Sequence, residues 1–279
     1  MAAEGRRTPL LAGLACLAGL AGTGALALAD PAGQVRDALT LQGFQSLNRP
    51  RLTALADRLA HIVDPTPYVV IGAVLVAIAL LRRRPRVAAA VVVVMGASVL
   101  TSELLKPLLA EQRYYSNGSP FLALGSWPSG HATAAMSVAL SAVLVAPRVL
   151  RPLVAALGTA LAVGVSYSVL ILSWHFPSDV LGGFLVAAVW ICLAVLALRE
   201  AEVRWPARDA GRTIAPLSGM LVPVGMIAAA AGAGLLVILA RPELMANLGT
   251  GHRSFLAGAF AIAALAWVLA TGLAAGLRR

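Results

Sequence analysis

Apolar runs long enough to cross a lipid bilayer recur from one end of this chain to the other, with arginine clusters between them. A helix needs about 20 apolar residues to span roughly 30 Å of hydrocarbon. Eight stretches read as such helices: 8–29, 67–81, 87–105, 132–147, 153–174, 180–198, 214–240 and 254–277. The second is short, which predicts a tilt or an extension. Inside a bilayer the backbone must satisfy its own polar groups, so the expected fold is all-α, a polytopic membrane helix bundle. Composition agrees: 59% apolar and 12% charged residues leave too little polarity for a soluble surface. Disordered chains, nucleic-acid-binding tails and disulfide-rich secreted scaffolds are excluded together.

A net charge of +10 would suit a nucleic-acid partner, but Lys106 is the one lysine, and the arginines sit in short groups at the ends of apolar runs. That pattern encodes topology, and no nucleic acid is expected. Arg82-Arg83-Arg84-Pro85-Arg86 marks a cytoplasmic turn. Counting outward places Arg6, Arg7, Arg148, Arg151, Arg199 to Arg212, Arg278 and Arg279 on the same side, with both termini in the cytoplasm of a multi-pass cell-membrane protein. The first apolar run, about 22 residues, exceeds the 7–15 of a signal-peptide core and reads as a retained helix. Cys16 and Cys192 lie inside apolar runs, where thiols act as small hydrophobes; neither a disulfide nor a metal cluster is expected.

The chain divides accordingly into four parts. Residues 1–66 hold the first helix and an extracytoplasmic loop, whose stretch 51–59 suits either a membrane-surface helix or a solvated connector. Residues 67–198 form the core, 199–213 a polar cytoplasmic loop, and 214–279 a C-terminal helix pair compatible with packing on the core or with a homodimer surface.

Three polar blocks collect at the outer ends of segments three to six, where ionisable groups are costly and point to function. In the first, Lys106 and Arg113 lie seven positions apart, nearly two helical turns, so both cations face one side and can share an anion. Snorkelling, with Glu103 balancing Lys106, is the ordinary explanation. In the second, Pro128-Ser129-Gly130-His131 opens an apolar helix, with Ser129 as N-cap and a helix N-terminus suited to phosphate oxygens. A plain capped helix start explains it too. In the third, Asp179 follows His175 by four residues and is the only carboxylate between Glu111 and Glu200. It can hold the Nδ1 proton and leave Nε2 to attack, or simply favour the helix dipole. Trp127 and Trp174 read as interfacial anchors.

Together these blocks resemble the type 2 phosphatidic acid phosphatase family, whose signature runs KxxxxxxRP, PSGH, SRxxxxxHxxxD. Pro128-Ser129-Gly130-His131 matches fully; Lys106 and Arg113 have the spacing, with Tyr114 in place of proline; Ser168, His175 and Asp179 fall in register. Val169 stands where that family has a phosphate-binding arginine. The resemblance implies a six-helix phosphatase core carrying an additional helix pair, and metal-independent hydrolysis of a lipid phosphate or pyrophosphate through a phosphohistidine, without a cofactor. It implies His175 as nucleophile held by Asp179, His131 as acid and base, and Lys106, Arg113, Ser129 and Gly130 as phosphate binders. The alternatives are a weakened relative that binds lipid phosphate and a phosphotransferase to an acceptor other than water. The lipid itself is not legible.

Overall fold

A computed structural model describes residues 2–110, 125–205 and 253–277. It is all-helical over those residues: α1 (Ala2–Leu28), α2 (Pro31–Gln45), α3 (Pro50–Ala60), a 3-10 turn (His61–Val63), α4 (Pro65–Leu81), α5 (Pro85–Leu108), α6 (Gly130–Val145), α7 (Arg151–Ile171), α8 (Pro177–Arg204) and α9 (Arg253–Gly276). Proline sets the starts: α2, α3, α4, α5 and α8 each open on one, where the missing N–H costs nothing and φ is already helical.

Five helices, α1, α5, α7, α8 and α9, are long and apolar enough to cross a membrane, and α3 with α4 makes a sixth if that pair, bent by 52°, is one span. The short second segment of the sequence corresponds to α4, and α3 would extend it in that case. The expected segment 214–240 lies outside the described residues. So does Arg113.

α6 sits at the centre, between α4, α5, α7, α8 and α9, with thirteen of its 16 residues buried. At 1.5 Å per residue it is about 24 Å long, short of a full crossing. Small residues allow close approach around it: a Cβ on Gly158 of α7 would lie 2.8 Å from Ala139 Cβ. Polar side chains tie the neighbours, with Tyr68 Oη 2.8 Å from both the Met95 carbonyl and Ser137 Oγ, and Trp190 Nε1 donating to Thr101 Oγ1 at 3.0 Å.

The two ends of the bundle differ. At one, Arg86 donates to the Trp205 carbonyl (2.8 Å), Arg151 to the Leu277 carbonyl (2.8 Å) and Arg199 to the Gly276 carbonyl (2.9 Å). Two arginines therefore satisfy and neutralise the C-terminal end of α9. This helix packs on α7, α2, α6 and α8, so the last segment belongs to the bundle wall. At the other end lie the starts of α4, α6 and α8 and the helix α2. The sequence reading treats residues 30–66 as a loop with one amphipathic stretch, but the structure makes nearly all of it helical. Asp30 caps α2 by accepting from Ala32 N at 3.0 Å, and Phe44 packs on Tyr167 and Phe255 at centroid distances of 5.2 and 4.9 Å.

Candidate active site

α7 ends in a turn that aims the third block. Trp174 N donates to the Val169 carbonyl at 2.9 Å and Ser173 N to the Leu170 carbonyl at 3.0 Å, the double bond pattern of a Schellman stop. Ser173 takes the left-handed conformation usual for glycine there, with φ 60°, and its hydroxyl accepts from Gln45 Nε2 of α2 at 3.0 Å. Pro177 then starts α8, which leaves His175 in the short link between two fixed helices.

Asp179 is fully buried and joins three parts of the site. Its Oδ2 accepts from Phe176 N at 2.9 Å, as the third residue of a helix reaching back to its cap, and lies 3.4 Å from His175 Nδ1. Its carbonyl accepts from Ser129 N at 2.9 Å, tying the start of α8 to the start of α6. His175 Nδ1 also faces the Ser126 carbonyl at 3.1 Å. A carbonyl only accepts, so Nδ1 carries the proton and Nε2 presents its lone pair.

Ser129 caps α6, its Oγ accepting from Ala132 N at 3.3 Å. Its own N–H is taken by the Asp179 carbonyl and the residue is fully buried, so Ser129 supports the helix start. The N–H groups of Gly130 and His131 open the helix and have no acceptor within it. A Cβ on Gly130 would meet Glu103 Oε1 at 3.1 Å and Lys106 Nζ at 3.3 Å, so the ammonium of α5 sits directly over that helix start. Lys106 is paired with Glu103 at 2.5 Å.

The His131 ring stands 6.5 Å from that of His175, centroid to centroid. The structure therefore brings together Lys106, Gly130, His131, His175 and Asp179. Trp127 is placed differently from the interfacial anchor expected. Trp127 is buried, lodged against Gly24 and Gly182, and Trp174 packs 5.4 Å from His131. Val169 is fully buried in the core and contributes its carbonyl to the turn described above.

Residues that the sequence reading missed come from the 30–66 region. Asp37 of α2 accepts from Ser178 N at 3.0 Å and from Ser178 Oγ, gripping the first turn of α8. Asp64, at the start of α4, lies 3.5 Å from His131 Nε2. His61 lies beside Asp57 and Asp64, and the Asp57 carbonyl, with both carboxylates behind it, holds its imidazole above the usual value. An available signal was Asp64 itself, a carboxylate directly before Pro65-Thr66-Pro67. Among the described residues no three His, Cys, Asp or Glu side chains are grouped to hold a metal ion.

Residues 87–202 match the model of the PAP2 superfamily. No curated protein matches the sequence at a significant level. Among solved structures, the chain is similar to the first transmembrane PAP2 type phosphatidylglycerolphosphate phosphatase from Bacillus subtilis, at 21% identity and a TM-score of 0.55, over 71% of this chain and 98% of that one. At that identity the likeness is one of fold. The matching stretch runs from the first turn of α5 to the last turn of α8, and Asp37, His61 and Asp64 lie outside it.

Proposed function

We propose that this chain, whose residues 87–202 match the model of the PAP2 superfamily, is a membrane lipid phosphatase, hydrolysing a phosphomonoester or pyrophosphate through a phosphohistidine. The observation that carries the reading is the placement of His175 Nδ1, which faces the Ser126 carbonyl at 3.1 Å and Asp179 at 3.4 Å, contacts that favour the proton on Nδ1 and a lone pair on Nε2.

Nε2 of His175 attacks phosphorus while the bond to the lipid oxygen breaks, and protonated His131 donates its proton to that oxygen. The lipid alcohol departs and the phosphoryl group stays on His175. Neutral His131 then takes a proton from water, whose oxygen attacks phosphorus, and the N–P bond breaks to release inorganic phosphate. Lys106 and Arg113 neutralise the phosphoryl oxygens, and the Gly130 and His131 N–H groups receive charge that grows in the transition state. No metal enters these steps. Val169 removes the arginine that the family signature carries, which is expected to lower the rate by about two to three decades without abolishing it.

The arginine-rich end, with Arg82, Arg83, Arg84, Arg86, Arg148, Arg151 and Arg199, lies opposite the site. Under the positive-inside rule that arrangement supports a site on the extracytoplasmic face of the cell membrane, with both termini in the cytoplasm.

Purified full-length protein presented with phosphatidate, phosphatidylglycerol phosphate, and polyprenyl phosphate and pyrophosphate tests this. Phosphate release that persists with chelator and vanishes in His175→Ala supports it. Binding without release from any of the four favours the weakened relative that Val169 makes conceivable, and transfer of phosphate to an added alcohol favours a phosphotransferase.

A further inference from the structure

Asp64 occupies the N-cap of α4 without capping it. An aspartate there ordinarily accepts from the N–H of the second or third helical residue. This helix opens Pro65-Thr66-Pro67, and proline has no N–H, so Thr66 is the only donor left in the first three positions. The carboxylate turns to two imidazoles instead: Oδ1 lies 3.5 Å from His131 Nε2, and Oδ2 lies 3.9 Å from His61 Nε2. Its place is set by the 52° bend between α3 and α4. Trp174 packs against both imidazoles, at 5.4 Å from His131 and 6.0 Å from His61.

We infer that Asp64 is the positioning carboxylate of His131, holding that ring by Nε2 so that Nδ1 serves the substrate and favouring the protonated form that the leaving group requires. The inference rests on the acid role proposed for His131. The imidazolium gives its Nδ1 proton to the departing lipid oxygen and keeps the Nε2 proton on Asp64; Nδ1 then takes a proton from the attacking water. The two histidine–carboxylate pairs thus work in opposite senses. Asp179 fixes the tautomer of the nucleophile, and Asp64 supports a charge on the acid.

The charges around His131 make that support necessary. Lys106 stands over the Gly130 end of the same turn, partly neutralised by Glu103, and His175 faces it across the site with Asp179 behind. Lys106, and His175 whenever charged, oppose a second positive charge; Asp64 favours it, while His61 competes for the same carboxylate. Asp64 lies outside residues 87–202, so this chain supplies the group from its own N-terminal region.

The test compares wild type with Asp64→Asn and Asp64→Glu in the full chain, measuring kcat and KM between about pH 5 and 9 on a lipid phosphate that wild type hydrolyses. An opposite charge at this range moves a titration by about one unit or more. Asp64→Asn should shift the alkaline limb of kcat about one unit to lower pH, a roughly tenfold loss at the alkaline end, with KM and the melting transition little changed. Asp64→Glu should restore most of the limb. Histidine NMR reads the pair directly, because the chain has only 4 histidines, and the His131 midpoint should fall in Asp64→Asn. An unmoved midpoint overturns the inference, as does a loss uniform across pH with a falling melting temperature. Failure of wild type to release phosphate from any lipid overturns the functional reading instead, and the NMR midpoint then decides the pairing alone.

Discussion

Gly183→Ala asks whether the site depends on how closely α8 approaches α6. A Cβ at Gly183 would lie 2.7 Å from the Ser129 carbonyl oxygen, 2.9 Å from Thr133 Oγ1 and 3.0 Å from Thr133 N. Ordinary contact begins at 3.4 Å, so the first is 0.7 Å too short (3.4 less 2.7), against backbone that cannot rotate away. That carbonyl already accepts from Thr133 N at 3.0 Å and Thr133 Oγ1 at 2.7 Å. The methyl group must therefore push the first turn of α6, with Gly130 and His131, away from His175 by several tenths of an ångström. Overpacking of this kind costs about 1–3 kcal/mol. A displacement of reacting groups by about 1 Å can cost roughly a hundredfold, so kcat should fall about tenfold or more. Gly96→Ala is the control, since nothing lies within 4 Å of its Cβ position on the helix α5. It should keep full activity and match or exceed wild-type stability by up to about 1 kcal/mol. Thermal melts in detergent and phosphate release on both variants check this. Wild-type kcat in Gly183→Ala would refute the claim that this helix contact sets the site.

Two further substitutions probe the groups behind the nucleophile. Asp179→Asn should lower kcat by about 10²–10³, less than the roughly 10⁴ seen when such a carboxylate acts alone, because the Ser126 carbonyl still fixes the His175 tautomer; unchanged kcat would contradict the assignment. Asp37→Ala removes the acceptor of both Ser178 N and Ser178 Oγ, and should destabilise the protein by about 2–3 kcal/mol in a denaturation assay.

Much of the site was legible because its residues are close in sequence and begin helices. Ser129 before an apolar run is a cap wherever the chain goes, and the four-residue step from His175 to Asp179 survives any tertiary arrangement of α8. That these groups share the bundle end opposite the arginine clusters followed from arginine placement alone. Asp37, His61 and Asp64 were not legible as site residues, since their role depends on α2 and α3 folding back over the bundle end. α2 alternates polar and apolar residues without a clear stripe, because it buries polar groups, Gln34, Asp37 and Thr40, along with Leu41 and Phe44. A membrane-span scan is blind to such a helix. Trp127 misled for a related reason: an indole near a span end suits an interface, but small neighbours at Gly24 and Gly182 let it go inside.

The most direct check is to mix the protein with a lipid carrying radiolabelled phosphate, quench within one turnover under alkaline conditions, and map the label by peptide. The account predicts label on His175 and none in His175→Ala, with accumulation in His131 variants supplied with a substrate whose leaving group needs no proton. Turnover with no protein-bound phosphate, or label on another residue, would contradict it.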